Sequence, residues 1–206
     1  MAFHQGKLFA SGKPNGNLYA IDVDVDAVTG DPWVSRIQWV ITTILPFPRT
    51  IIPDGSTIVM VTKFYLVQSR GALLMVHKRM QKKWTQLIGG YISTGSNELD
   101  VFEADLQGCR WTRVATVGDD QVLFLSGHHC RSLCVSQLGM FGDRVVFFEN
   151  DDEDCGWFGR ESTSSCIVYD MRGDRELDDT LLPKAFRWNR GTVRATWLFP
   201  DDSKAT

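Results

Sequence analysis

Short apolar runs joined by tight polar turns recur along the chain, and they predict hairpins. The first pairs Lys7-Leu8-Phe9-Ala10 with Leu18-Tyr19-Ala20-Ile21-Asp22 across the turn Pro14-Asn15-Gly16-Asn17. Asn-Gly between apolar runs is the strongest short-range hairpin signal, because both residues tolerate positive φ. The pattern returns as Phe64-Tyr65-Leu66-Val67, the turn Ser69-Arg70-Gly71 and Leu73-Leu74-Met75-Val76. A third unit runs from Val145-Val146-Phe147-Phe148 through a long acidic loop to Cys166-Ile167-Val168-Tyr169-Asp170. Further strands are predicted over 35–44, 99–105, 109–117 and 121–125. Residues 99–105 alternate apolar and polar, as a strand with one wet face does, and Gln107-Gly108 turns them into a hairpin with the next strand. Gly118-Asp119-Asp120 separates the last two.

Helix signals are sparse. Ser136-Gln137-Leu138-Gly139-Met140 predicts one short turn with Ser136 as its cap, and no stretch sustains a 3.6-residue apolar stripe. Without crossover helices a βαβ fold is excluded, leaving an all-β chain of antiparallel hairpin units. Hairpin units separated by unequal insertions fit propeller blades of about 40–50 residues. Three or four such units fit in 206 residues, and a closed ring needs at least four. The expectation is therefore a partial β-propeller over 1–200 with a polar tail at 201–206, and with apolar sheet faces and strand edges left open.

Composition narrows the function classes. Lys and Arg number 22 against 25 Asp and Glu, a net charge of −3, so the basic field of a nucleic-acid binder is missing. Seven Trp, twelve Phe and four Tyr are too many for a disordered chain. No apolar run approaches the ~20 residues that span a bilayer, and residues 1–10 carry no secretory signal pattern. The five cysteines Cys109, Cys130, Cys134, Cys155 and Cys166 form no disulfide framework. An intracellular protein with reduced thiols is expected, in nucleus or cytoplasm. Lys78, Arg79, Lys82 and Lys83 form the densest basic run, read as an ordinary charged turn.

Candidate chemistry is thin. His128-His129-Cys130 with Cys134 crowds soft ligands together, but Cys130 and Cys134 on one strand stand about 13 Å apart, too far for one zinc ion. Edge-of-sheet packing is the favoured reading. The acidic stretch Asn150-Asp151-Asp152-Glu153-Asp154 lacks the spacing, glycine and closing glutamate of an EF-hand and reads as a solvated loop. There is no Gly-x-Ser-x-Gly elbow, and His4, His77, His128 and His129 cannot be joined to a nucleophile and a carboxylate. Gly89-Gly90 reads as a turn rather than a phosphate cradle. Asp22, Asp105 and Asp170 each end an apolar strand, which is turn chemistry. Trp84, Trp111 and Trp188 read as wedge-filling aromatics, one per blade. No catalytic, cofactor-binding or metal-ligating residue is named, and no cofactor is expected.

The order of these segments resembles a known family. Phe3-His4-Gln5-Gly6-Lys7-Leu8-Phe9-Ala10 with Gly16-Asn17-Leu18-Tyr19-Ala20-Ile21-Asp22 is similar to the repeats of plant F-box-associated propellers of the DUF295, or KIB1-4, type. So are Tyr65-Leu66-Val67-Gln68-Ser69-Arg70-Gly71, Val101-Phe102-Glu103-Ala104-Asp105, Val122-Leu123-Phe124-Leu125-Ser126-Gly127 and Cys166-Ile167-Val168-Tyr169-Asp170. Cys130 stands where the family more often has serine. The resemblance implies a propeller that in many members follows an F-box, which docks on a Skp1-type adaptor of a ubiquitin ligase while the propeller presents substrate. Residues 1–206 hold no F-box and correspond to the C-terminal part of such a protein, so binding to that adaptor is not expected. The family has no shared catalytic residues to carry over.

The leading expectation is a non-enzymatic protein-interaction module with a protein partner, carrying an exposed face lined by Trp and Arg. It binds neither nucleic acid nor membrane. The alternatives are a small enzyme with its pocket at the propeller mouth, and a truncated propeller without independent function.

Overall fold

All four expected hairpins form, and most of their strands run well past their apolar cores. The computed structural model describes residues 1–12, 15–42, 49–51, 57–85, 90–127, 129–137, 140–150, 164–173 and 175–177. The chain divides into two compact units, Met1–Ala115 and Thr116–Thr206.

The first unit opens with a four-stranded antiparallel sheet of β1 (Ala2–His4), β2 (Lys7–Gly12), β3 (Asn17–Val25) and β4 (Pro32–Ile41), arranged in that order. The β1–β2 hairpin was not among the expected elements. Its two-residue loop puts Gln5 at φ 47° and Gly6 at φ 77°, the type I′ conformation whose twist matches paired strands. Between β2 and β3, Gly12 pairs with Asn17, so the loop is four residues long rather than a tight Asn-Gly turn. Gly16 sits at φ 69°, and a Cβ there would lie 2.8 Å from the Phe64 ring. The β3–β4 turn is tied by Asp26, whose carboxylate accepts from Val28 N at 2.8 Å and Thr29 N at 2.9 Å. Strand β4 was expected over 35–44. It begins at Pro32, where the Asp26 turn lets pairing resume, and ends at Ile41; residues 43 and 44 lie outside the described residues.

The second sheet holds β5 (Arg49–Ile51), β6 (Thr57–Ser69), β7 (Ala72–Thr85), β8 (Gly90–Asp105) and β9 (Arg110–Val114), again antiparallel in chain order. Ser69 pairs with Ala72 across Arg70 and Gly71, at φ 49° and 78°. The basic run is not a charged turn: Lys78, Arg79, Lys82 and Lys83 all lie inside β7. Carboxylates on the facing strand make that possible. Arg79 Nη2 reaches Asp100 at 2.8 Å and Glu98 at 2.9 Å. Strand β9 is shorter than expected, since Cys109 takes φ 51° in the turn and Asp105 Oδ1 accepts from Gly108 N at 2.7 Å. The core of this unit joins Phe9, Leu18, Ala20 and Ile41 of the first sheet to Leu66, Leu73 and Met75 of the second.

The second unit contains one five-stranded sheet of β10 (Gln121–Leu125), β11 (Cys130–Cys134), β12 (Arg144–Asn150), β13 (Ser164–Asp170) and β14 (Arg175–Leu177), ordered β11-β10-β12-β13-β14. Strands β10 and β12 are parallel, the one parallel pair among the described strands of a chain expected to be built of antiparallel hairpin units. A parallel neighbour needs a long crossover, and residues 126–143 supply it while also contributing β11 on the opposite side of β10. The short helix expected over 136–140 is a single 3₁₀ turn, Val135–Gln137, with Ser136 inside it rather than capping it; Leu138 and Gly139 lie outside the described residues. Asp143, buried at φ 59°, ties the crossover down. Its Oδ1 accepts from Thr116 Oγ1 and Val117 N, both at 2.8 Å, and its own N–H donates to Gln121 O at 2.8 Å.

The architecture is all-β, with sheets of four and five strands consistent with a propeller-like fold. No helix among those residues is long and apolar enough to cross a membrane.

Candidate protein-interaction surfaces

Residues directly opposite each other on antiparallel strands share a face, so the register of the first sheet sorts its side chains into rows. One face carries Ala2-Phe9-Ala20-Gln38 and Ser11-Leu18-Ile41, and it packs on the second sheet. The other carries Phe3-Leu8-Ile21-Ile37, then Ala10-Tyr19-Trp39, Val23-Val34 and Val25-Pro32. No charged residue stands in any of these outer rows. Phe3 is 64% exposed, Ile37 63%, Trp39 63%, Val25 64%, Val34 52% and Val23 47%. Tyr19 and Trp39 stack at 5.9 Å with their planes 28° apart. An apolar residue scattered on a surface is ordinary, whereas a continuous apolar face marks a docking surface.

On the inner face, beside the packed core, lies a cleft of about 300 Å³. Phe9, Ala20, Val40 and Leu106 make its apolar lining, and Lys7, Gln5 and Gln38 its polar part. Strand β4 contributes both Gln38 and Val40, the latter at a bulge that shifts register between Leu18 and Tyr19. His4 also lines the cleft, buried and tilted 59° against Phe9 with ring centres 6.2 Å apart. Its Nδ1 has no hydrogen-bond partner among the described residues, at a cost of about 1–3 kcal/mol. The lining contains amides, an ammonium and an imidazole, without a carboxylate, hydroxyl or thiol to complete acid–base or nucleophilic chemistry.

The residues singled out in the sequence fall elsewhere. Cys130 and Cys134 occupy the two ends of β11 and contact opposite ends of its hairpin: Cys130 Sγ lies 3.6 Å from Ser126 O, and Cys134 Sγ 3.2 Å from Ser136 Oγ. Burial pushes the Cys130 thiol pKa up, against the lowering effect of its hydrogen bond to the Ser126 backbone, which favours the neutral thiol over a metal-binding thiolate. His129 closes a turn through Ser126, and His128 lies outside the described residues. Among the described residues no group of three or more His, Cys, Asp or Glu is placed to hold a metal. His77 is stacked on Phe64 at 4.9 Å in the second sheet. Asp22 faces Arg36 across β3 and β4, and Asp105 bonds Arg110 Nε at 3.1 Å. Asp170 Oδ1 caps Arg172 N at 3.0 Å. These three aspartates serve separate turns and ladders and make no set.

Trp111 packs against the first unit's core. The Trp84 side chain, Trp188 and residues 151–163 lie outside the described residues. The tryptophan that matters for the open face, Trp39, was not singled out. A signal existed: from Leu18 to Ile21 apolar residues occupy both parities of the strand, the mark of a sheet apolar on both faces.

Packed sheets of short hairpins, one of them with an open apolar face, give an all-β, propeller-like architecture. The model of the KIB1-4 beta-propeller family matches residues 1–170. The chain belongs to that family, the DUF295-type family of F-box-associated propellers. No curated protein and no solved structure matches the chain. Membership supports a non-catalytic, protein-interaction type of propeller domain, and the absence of a metal-holding cluster among the described residues is consistent with a scaffold.

Proposed function

We propose that this chain is a receptor module that holds a segment of a protein partner for presentation, as substrate-presenting propellers of plant F-box proteins do. The observation that carries the reading is the inner-face cleft. Its apolar lining of Phe9, Ala20, Val40 and Leu106 accepts an apolar side chain, while Lys7, Gln5 and Gln38 offer donors to an adjoining carboxylate. The occupant is an extended segment of the partner with an apolar residue beside an acidic group, laid along β4. Contact with a Skp1-type adaptor is no part of the role proposed for these residues, and the setting proposed is intracellular.

Selection of displayed random nine-residue peptides on the purified chain tests the reading. Enriched sequences should carry an apolar residue next to an acidic one. Gln38→Trp, which fills the cleft, and Lys7→Glu, which reverses its charge, should each weaken those peptides about tenfold or more, equivalent to ~1.4 kcal/mol. The circular dichroism of both variants should match the parent chain. No enrichment, or binding indifferent to both substitutions, rules the reading out.

A further inference from the structure

We propose that two copies of this chain pair through the outer face of the first sheet, forming a face-to-face β-sandwich. The inference goes beyond the receptor reading and does not depend on it, because Gln38 and the cleft lie on the opposite face of β4 from Ile37 and Trp39.

Area comes first. Counting about 150–250 Å² for each aromatic side chain and about two-thirds of that for Val and Ile, the exposed fractions of Phe3, Val23, Val25, Val34, Ile37 and Trp39 amount to roughly 550 Å². That stands at the top of the ~300–600 Å² typical of the largest apolar patch on a monomer, and the half-buried Leu8, Ala10, Tyr19 and Ile21 of the same rows bring it toward the ~800 Å² that each partner buries in a stable interface. Chemistry comes second. The outer rows run Phe3-Leu8-Ile21-Ile37 and Ala10-Tyr19-Trp39 across all four strands or three of them, with no charge in any row. A two-fold pairing therefore brings no like charges together and buries none unpaired. Shape comes third. Twisted sheets pack face to face about 10 Å apart with interdigitating side chains, and the stacked Tyr19–Trp39 pair offers an ordered ridge for that packing. A second copy supplies a face of the same size and composition. Edge-to-edge pairing is disfavoured in comparison, since register shifts at Leu18/Tyr19 and Asp22/Val23 distort the ladder that β4 makes with β3.

Light scattering on the eluting chain across about 1–100 μM, alongside the variants Ile37→Lys and Trp39→Glu, tests the pairing. The parent chain should run as a dimer that dissociates on dilution. Both variants should run as monomers, with far-ultraviolet dichroism unchanged and melting close to that of the diluted, monomeric parent, because both sites are exposed in the single chain. A second readout is tryptophan emission, which should shift to the blue as the parent chain dimerises and stay fixed in Ile37→Lys. A parent chain that stays monomeric at 100 μM overturns the proposal and leaves the cleft reading standing. A dimer that survives both substitutions also overturns it, since its interface is then another surface. Should the variants unfold, crosslinking of paired cysteines decides: Ile37→Cys should form an intermolecular disulfide under mild oxidation, and Arg70→Cys, in the β6–β7 turn, should not. The reverse pattern refutes the pairing.

Discussion

Two of the sheets that are apolar on both faces, the one in the second unit and the first sheet, differ in cover: the former is buried on both faces and the latter on one. In the five-stranded sheet of the second unit, Val122, Phe124, Val146 and Val168 form a cluster on one face. Leu123, Leu125, Val145 and Phe147, which alternate with them, are buried as well. In the first sheet, Phe9, Leu18 and Ala20 are buried while Phe3, Ile37 and Trp39 stand in the open. The two sheets share a local rule, a run of apolar residues at both parities of a strand. They differ in what lies against the second face. An apolar strand pattern specifies that a face seeks cover without specifying where the cover comes from. That is why an open face in an otherwise well-packed unit reads as a place for another surface.

The comparison can be broken by substituting one aromatic from each sheet. Phe124→Ala removes a side chain with 0% exposure, and it should destabilise the protein by about 3–5 kcal/mol in chemical denaturation. A loss near 1 kcal/mol would mean that the sheet of the second unit is as poorly covered as the outer face of the first.

A smaller effect, switchable by pH, is expected in the second sheet. Burial holds the His77 imidazole below its ordinary pKa of 6.5, Arg79 lowers it further, and Asp100 and Glu98 oppose the shift. The folded state therefore binds its proton more weakly than the unfolded chain does. Stability should be full above about pH 6.5 and fall as pH drops through that value toward the lower folded pKa. Thermal melts at pH 7.5, 6.5 and 5.5 check the slope, and His77→Phe, which keeps the stack on Phe64, should flatten it. An unchanged slope in that variant would assign the acid sensitivity to other groups.

The smallest effect belongs to the open face. Trp39→Ala should cost the single chain only about 0.5–1.5 kcal/mol, the worth of its stack on Tyr19, measured by denaturation at a protein concentration low enough to prevent association. A loss of 2 kcal/mol or more would show that Trp39 is packed within the chain, and the contrast between the two sheets would disappear.

Much of the fold was legible locally. Strand β10 was placed at its observed bounds because Gln121–Leu125 is a compact apolar run between turn residues. The β6–β7 turn followed from Arg70-Gly71, which only a loop tolerant of positive φ accepts. Less legible was length: β7 and β8 run through Lys82, Lys83 and Ser93, where polar residues hide a strand whose pairing depends on a neighbour. The candidate surfaces were less legible still. Lys7, Gln38 and Leu106 come from β2, β4 and the β8–β9 turn, and no spacing along the chain announces that they share a cleft.

Sequence alone thus determined the all-β class, the hairpin units and the family, because each rests on neighbours a few residues apart or on the order of segments. Tertiary structure decided the parallel pairing of β10 with β12, the placement of the basic run inside β7, and which apolar face of the first sheet stays open. Those outcomes depend on which distant strands meet, and a strand carries in its own residues a demand for burial but no address for the surface that meets it.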